Sequence, residues 1–213
     1  PVRTGKSTFI KRLMEQLVLP NIEDPYRRER AQDELPQSAS GKTIMTAEPK
    51  FVPEDAVRIR LGDDTSCMVR FVDCVGYMVQ GASGRFEDGS ERLVTTPWFD
   101  HEVTMTEAAE SGTRKVICDH STIGLVITTD GSICDIDREA YIEPERRVVS
   151  ELKSIGKPFV ILLNSAQPDS ERTIELERQL SAEYEAPCIR VNCQSLTQGD
   201  ICEIMRKVLG QFP

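Results

Sequence analysis

From Ile123 onward the chain alternates three times between a short unbroken apolar run and a segment of helical periodicity. Ile123 to Thr128 precedes a stretch that sets Val148, Val149, Leu152 and Ile155 on one face. Phe159 to Leu163 precedes one carrying Ile174, Leu176, Leu180 and Tyr184, and Cys188 to Val191 one carrying Ile201, Ile204, Met205 and Val208. Runs this short and this apolar mark strands buried on both faces, and helices between them force crossover connections. The predicted architecture is α/β, a mainly parallel sheet covered by helices. Ahead of it Val57 to Leu61 alternates, Gly62-Asp63-Asp64 turns, and Cys67 to Asp73 supplies a second strand. That hairpin predicts one antiparallel edge.

Composition narrows the class. The 213 residues hold 26 Lys+Arg against 35 Asp+Glu, a net charge of −9. No stretch approaches the roughly 20 apolar residues a bilayer helix needs, and the chain is too hydrophobic for a disordered one. An acidic balance opposes nucleic-acid binding, which needs a basic face, so any polyanion must enter a local pocket. Seven cysteines, an odd number with no C-x-x-C pair, signal neither a disulfide framework nor a zinc site. Reduced thiols in a cytosolic protein are the expectation. The length suits one domain, residues 1–213.

The residues that carry chemistry begin at the first position. Pro1-Val2-Arg3-Thr4-Gly5-Lys6-Ser7-Thr8 reads as a phosphate loop, G-x-x-x-x-G-K-[ST], entered in mid-motif, its leading Gly falling just before residue 1. Phe9, Ile10, Leu13, Met14 and Leu17 then recur at helical spacing as far as Pro20. In such a loop the backbone N–H groups of Arg3 to Thr8 and a helix N-terminus cradle phosphate, Lys6 neutralises its oxygens, and Ser7 ligates Mg²⁺. Val69 to Asp73 is a strand ending in a carboxylate that can hold Mg²⁺. The Asp73-Cys74-Val75-Gly76 turn lets the Gly76 N–H reach a terminal phosphate.

The polar stretch Asn21 to Lys50 has no sustained period and reads as a long surface segment. A threonine here can close on metal and phosphate, and spacing does not choose between Thr43 and Thr46. Base selectivity is read after the Phe159 strand, where guanine-specific proteins carry N-K-x-D; here stand Asn164-Ser165-Ala166-Gln167. Without the final carboxylate the guanine donors would go unpaired, at about 1–3 kcal/mol each, so ATP fits better than GTP. Tyr77 occupies the place of a water-positioning Gln and cannot do its work in the same way. His101, His120 and Arg27 to Arg30 read as packing or surface residues. Asp130 reads as a turn residue or a support to the site, and Trp98 and Phe99 as anchors to their own core or to another subunit.

Taken together, Pro1 to Lys11, Arg30 to Ser38, Thr46 to Pro53, Val72 to Tyr77, Ser121 to Gly124 and Val126 to Gly131 resemble the stage IV sporulation protein A family of endospore-forming Firmicutes. The resemblance implies a P-loop NTPase of translation-factor-type GTPase fold that has turned to ATP and Mg²⁺. Lys6 matches the phosphate-loop lysine, Asp73 the metal-associated aspartate and Thr46 the sensor threonine, which selects Thr46 over Thr43. Where the family often shows Thr-Thr, this chain has Thr46-Ala47. It further implies ATP-driven self-polymerisation into the basement layer of the spore coat, in the mother-cell cytoplasm on the outer forespore membrane. The implied partners are a small amphipathic stage V membrane-anchoring protein and other coat proteins, with no nucleic acid. By the family's architecture the chain is expected to be a piece cut at both ends, lacking the first strand that feeds the loop and unable to bind ATP or melt cooperatively alone. The alternative, a switch-type GTPase of the translation-factor class, should carry a guanine-reading aspartate at Gln167. A purely structural coat module should lack one of Lys6, Ser7 or Asp73.

Overall fold

The computed structural model describes residues 1–36, 49–62, 65–82, 86, 87 and 89–212. Thr43, Thr46 and the hairpin turn at Asp63-Asp64 lie outside them. Three parallel strands, β7 (Gly124–Thr129), β8 (Phe159–Asn164) and β9 (Cys188–Val191), form a sheet in the order β7-β8-β9, with Gly124 opposite Phe159 and Ile161 opposite Cys188. The strand–helix alternation is as predicted. Helices α4 (Glu139–Ser154), α5 (Glu171–Tyr184) and α6 (Gln198–Leu209) follow the strands in turn.

All six residues of β8 are buried, and they divide between two cores. Val160 and Leu162 pack with Phe9 and Leu13 of α1 (Lys6–Leu13), Leu17 of the turn that follows it, and Ile201 and Met205 of α6. Ile161 and Leu163 pack with Val149 and Leu152 of α4 and Leu180 and Tyr184 of α5 on the other face. The side-chain period of two in a strand produces this division, and each such side chain contributes about 1.5–3 kcal/mol by leaving water.

The hairpin is present, longer than its alternation predicts. β1 (Lys50–Arg60) and β2 (Ser66–Asp73) pair antiparallel, Val57 opposite Val69, with a register shift between Val52 and Val57. It does not join the parallel strands as an edge. Between β2 and β7 lies an apolar cavity of about 540 Å³, lined by Val69 and Phe71 on one side and Leu125 and Ile127 on the other. The α/β class, the parallel strands and the antiparallel hairpin are as expected, with the hairpin forming a sheet of its own among the described residues.

Two departures concern helices. The segment from Asn21 is not wholly irregular, because Pro25–Asp33 forms α2. Asp24 caps it by accepting from the N–H groups of Tyr26 and Arg27, and Pro25 sits in the first turn, a strong local start signal. Only Ala31 of α2 is buried, so no apolar period betrays it. The helix after the phosphate loop is regular as far as Leu13, then widens to a π-helical turn, Met14–Val18, and a 3₁₀ turn ending at Asn21, one residue beyond Pro20.

Short ribbons fill the following segment, β3 (Phe86–Glu87) with β4 (Ser90–Glu91) and β5 (Leu93–Val94) with β6 (Val103–Thr104). They lead to α3 (Met105–Lys115), opened by the predicted capping box: Thr104 accepts from the Glu107 N–H while the Glu107 carboxylate accepts from the Thr104 N–H. The helix widens into a π-helical turn, Val116–His120.

Two buried polar clusters fasten the C-terminal ends of the parallel strands. Arg138 makes a two-pronged ion pair with Glu145 at 2.7 and 2.8 Å, and Tyr184 donates to the same carboxylate at 2.7 Å. Asp130 accepts from the Ser132 N–H and hydroxyl at one oxygen and from Ser165 and Thr173 at the other, at 2.5–3.0 Å. Burial works to raise the Asp130 pKa, but these hydrogen bonds outweigh it and the net shift is downward. A carboxyl lowered on folding adds stability above its ordinary value of 3.8 and loses that contribution as the pH falls further.

Glu145→Ala is expected to cost about 3–5 kcal/mol, because it strands a buried guanidinium. Asp130→Asn should cost about 1–3 kcal/mol near neutrality and flatten the acid loss of stability. Denaturant unfolding at about pH 7 and about pH 3 measures both.

Candidate functional site

The loop before α1 is held from outside through its carbonyl groups. The Pro1 carbonyl accepts from Lys6 Nζ at 2.5 Å and from the Thr4 hydroxyl at 3.2 Å. The Arg3 carbonyl accepts from the buried Tyr141 hydroxyl at 3.3 Å and from Cys134 Sγ at 3.8 Å. The Thr4 carbonyl accepts from Asn164 Nδ2 at 3.0 Å, and the Gly5 carbonyl from the Phe9 N–H at 2.9 Å. Among the described residues, the N–H groups of Gly5, Lys6, Ser7 and Thr8 have no partner, as expected of the first turn of a helix. Unpartnered donors at a helix N-terminus are what an oxyanion uses.

Gly5 makes the turn possible. Its φ of +93° suits glycine, and a Cβ there would lie 2.4 Å from Asn164 Nδ2. Asn164 is almost wholly buried and uses both ends of its amide, donating to Thr4 and accepting from the Cys193 N–H at 3.0 Å. It therefore clamps the loop to the ends of β8 and β9. Ser165, at the lysine position of N-K-x-D, is buried and tied to Asp130. Gln167 is exposed at the rim of the same turn, where its N–H donates to Ser165 Oγ at 3.0 Å.

The hairpin brings Asp73 to the loop. Ser7 Oγ donates to Asp73 Oδ2 at 2.9 Å, across 66 residues of sequence. Gly76, at φ +90°, lies against the loop so closely that a Cβ would come within 3.0 Å of the Pro1 carbonyl and 3.1 Å of Lys6 Nζ. The Val2 N–H donates to the Tyr77 carbonyl at 2.9 Å, binding the two segments together. Arg3, Thr4, Gly5, Lys6, Ser7, Thr8, Asp73, Gly76 and Asn164 thus form one cluster at the strand ends. Thr46 lies outside the described residues.

The electrostatics match the donor set. Burial lowers the Lys6 pKa, opposed by the nearby Cys74 and Asp73, and burial raises that of Asp73, opposed by Lys6 and Ser7. Each charge is therefore short of compensation. A hydroxyl paired with a half-buried carboxylate suits a hard divalent cation, and a half-buried ammonium beside unpartnered N–H groups suits phosphate.

Tyr77 has a role that sequence reasoning missed. It is fully buried, its hydroxyl donates to Glu151, and the Arg147 guanidinium stacks on its ring at 4.1 Å. Burial first, and then Glu151, raise its pKa, so it stays a neutral bolt between the turn and α4. Asp130 proves to be a hub under the Ser165 turn, while His101 and His120 are exposed. The seven cysteines are all free thiols, and no cluster among the described residues has three or more metal-binding side chains of the His, Cys, Asp or Glu type.

Comparison with known proteins agrees with this site. Residues 1–213 match the family described as stage IV sporulation protein A, ATPase domain. Curated relatives named stage IV sporulation protein A are 54% identical in Clostridioides difficile (strain 630) over 213 residues, 53% in Bacillus anthracis over 212 and 51% in Bacillus subtilis (strain 168) over 212. Each alignment covers 100% of this chain and 43% of the relative, so the chain spans less than half the length of the curated relatives it matches. The chain belongs to the ATPase-domain family of stage IV sporulation protein A.

Proposed function

We propose that this domain binds ATP with Mg²⁺ and hydrolyses it to ADP and phosphate. The observation that carries the reading is the meeting of Ser7 and Asp73 at 2.9 Å beside Lys6 and the free N–H groups of the loop. Lys6 and those N–H groups hold the phosphates, Ser7 and Asp73 hold the cation, and Gly76 offers its N–H to the terminal phosphate. Bound Mg²⁺ would supply charge neutralisation between the phosphate oxygens. Tyr77 is committed to Glu151, so the attacking water is positioned by another group. Thr46 is our candidate for sensing the terminal phosphate. Asn164 contributes by fixing the loop, and Gln167 stands where a guanine-reading carboxylate would be.

The fold we propose is a P-loop fold of translation-factor type, in line with the parallel strands and the helices between them. By kinship with proteins named for sporulation, we propose that turnover drives self-assembly into the basement layer of the spore coat, peripheral to the outer forespore membrane in the mother cell. A small amphipathic anchoring protein and other coat proteins would be the partners. No helix among the described residues is long and apolar enough to cross a membrane.

Turnover and pelleting of the full-length protein test this. Lys6→Ala should weaken ATP binding about 30-fold or more, the effect of removing one partner of a buried charge pair. Thr46→Ala should leave ATP affinity within about threefold while lowering hydrolysis about 100-fold and abolishing polymer. Gln167→Asp should move the ATP-to-GTP affinity ratio toward GTP by about tenfold. Equal wild-type affinity for GTP and ATP would overturn the adenine preference.

A further inference from the structure

We propose that Thr113 is a latch on the nucleotide-sensing turn, its hydroxyl holding the Gly76 N–H that must be released before that donor can serve a terminal phosphate. The inference rests on the ATPase reading of the site and adds a residue of α3 to it. The Gly76 N–H donates to Thr113 Oγ1 at 3.1 Å, and both residues are buried. Gly76 is also the residue of the turn that packs against the Pro1 carbonyl and Lys6 Nζ. The N–H of this residue is thus already engaged by a helix 37 residues away in sequence.

One N–H makes one good hydrogen bond at a time, so the hydroxyl and a phosphate oxygen compete for it. The competition applies only to a nucleotide carrying a terminal phosphate, because the diphosphate has no oxygen at that position. Thr113 therefore weakens ATP relative to ADP and leaves ADP untouched.

The surroundings provide for the released hydroxyl. The Thr113 hydroxyl also hydrogen-bonds the neighbouring Cys74 thiol, so it keeps a partner when the Gly76 N–H leaves. Thr113 stands just before the π-helical turn at Val116–His120, an irregular geometry that recurs where helices adjust during function. The same helix carries Glu110, paired with Arg147 at 2.8 Å, and Arg147 stacks on Tyr77. Residues 76 and 77 are thereby held by α3 and α4 through two chemically independent contacts, of which only the first must break.

The test uses the full-length protein with Mg²⁺, titrated with ADP and with a non-hydrolysable ATP analogue. Amide hydrogen exchange at Gly76 is followed separately without nucleotide. Thr113→Val, which replaces the hydroxyl by a methyl of the same shape, should tighten analogue binding about fivefold, the worth of one net hydrogen bond, and leave ADP within about twofold. Gly76 exchange should quicken, and Thr113→Ser should restore wild-type behaviour in both assays. Should the valine variant not fold, Thr113→Ala is read in the same way. Equal shifts for both nucleotides, weaker analogue binding, or unchanged Gly76 exchange would each overturn the latch. Faster Gly76 exchange in a protein whose wild type binds no nucleotide would instead overturn the ATPase reading, and the latch's competition with it.

Discussion

The loop before α1 depends on where its carbonyl oxygens go. A tight turn with left-handed residues at Arg3 and Gly5 is stable only if its polar groups are taken up elsewhere. Here Lys6, Tyr141, Asn164 and the Phe9 N–H each take one. With the carbonyls taken up, the N–H groups of Gly5 to Thr8 are left without a partner among the described residues. The donors come from α1 itself, from α4 and from the end of β8, so the loop takes its shape only when three parts of the chain are already in place.

The same logic runs through the polar interior. No described buried side-chain nitrogen or oxygen lacks a hydrogen-bond partner. Asp130 fills both of its oxygens with donors from three segments, and Glu145 with Arg138 and Tyr184. These clusters lie at the strand ends, where an α/β sheet gathers its functional loops. Lys6 and Asp73, by contrast, are left electrostatically short there, their pKa values moved by burial against their own charges.

What could be read from sequence was what is local. The capping box at Thr104 and Glu107 involves residues three apart, and the parallel strands announce themselves by runs of consecutive apolar residues. The cluster of Lys6, Ser7 and Asp73 was legible because the phosphate loop and its carboxylate-ended strand have fixed forms. Helix α2 escaped because periodicity reports a buried face and α2 buries only Ala31, although Asp24-Pro25 marks its start. Tyr77, Asp130 and Thr113 escaped for a different reason. Their roles are defined by partners 74, 35 and 37 residues away, and the side chain alone does not reveal which partner it meets.

The apolar cavity between β2 and β7 reaches Lys6, Gly76 and Thr113 at one end and Val208 and Phe212 at the other. At about 540 Å³, an empty space of this kind would forfeit on the order of 10 kcal/mol of packing, comparable with the whole stability of a typical domain. The cavity is lined in part by Lys6 and Gly76, residues of the candidate site. Lys6, Gly76 and Thr113 line the same cavity as Val208 and Phe212, so the apolar core and the candidate site share one wall, and a methyl group lost from that wall alters the support of both.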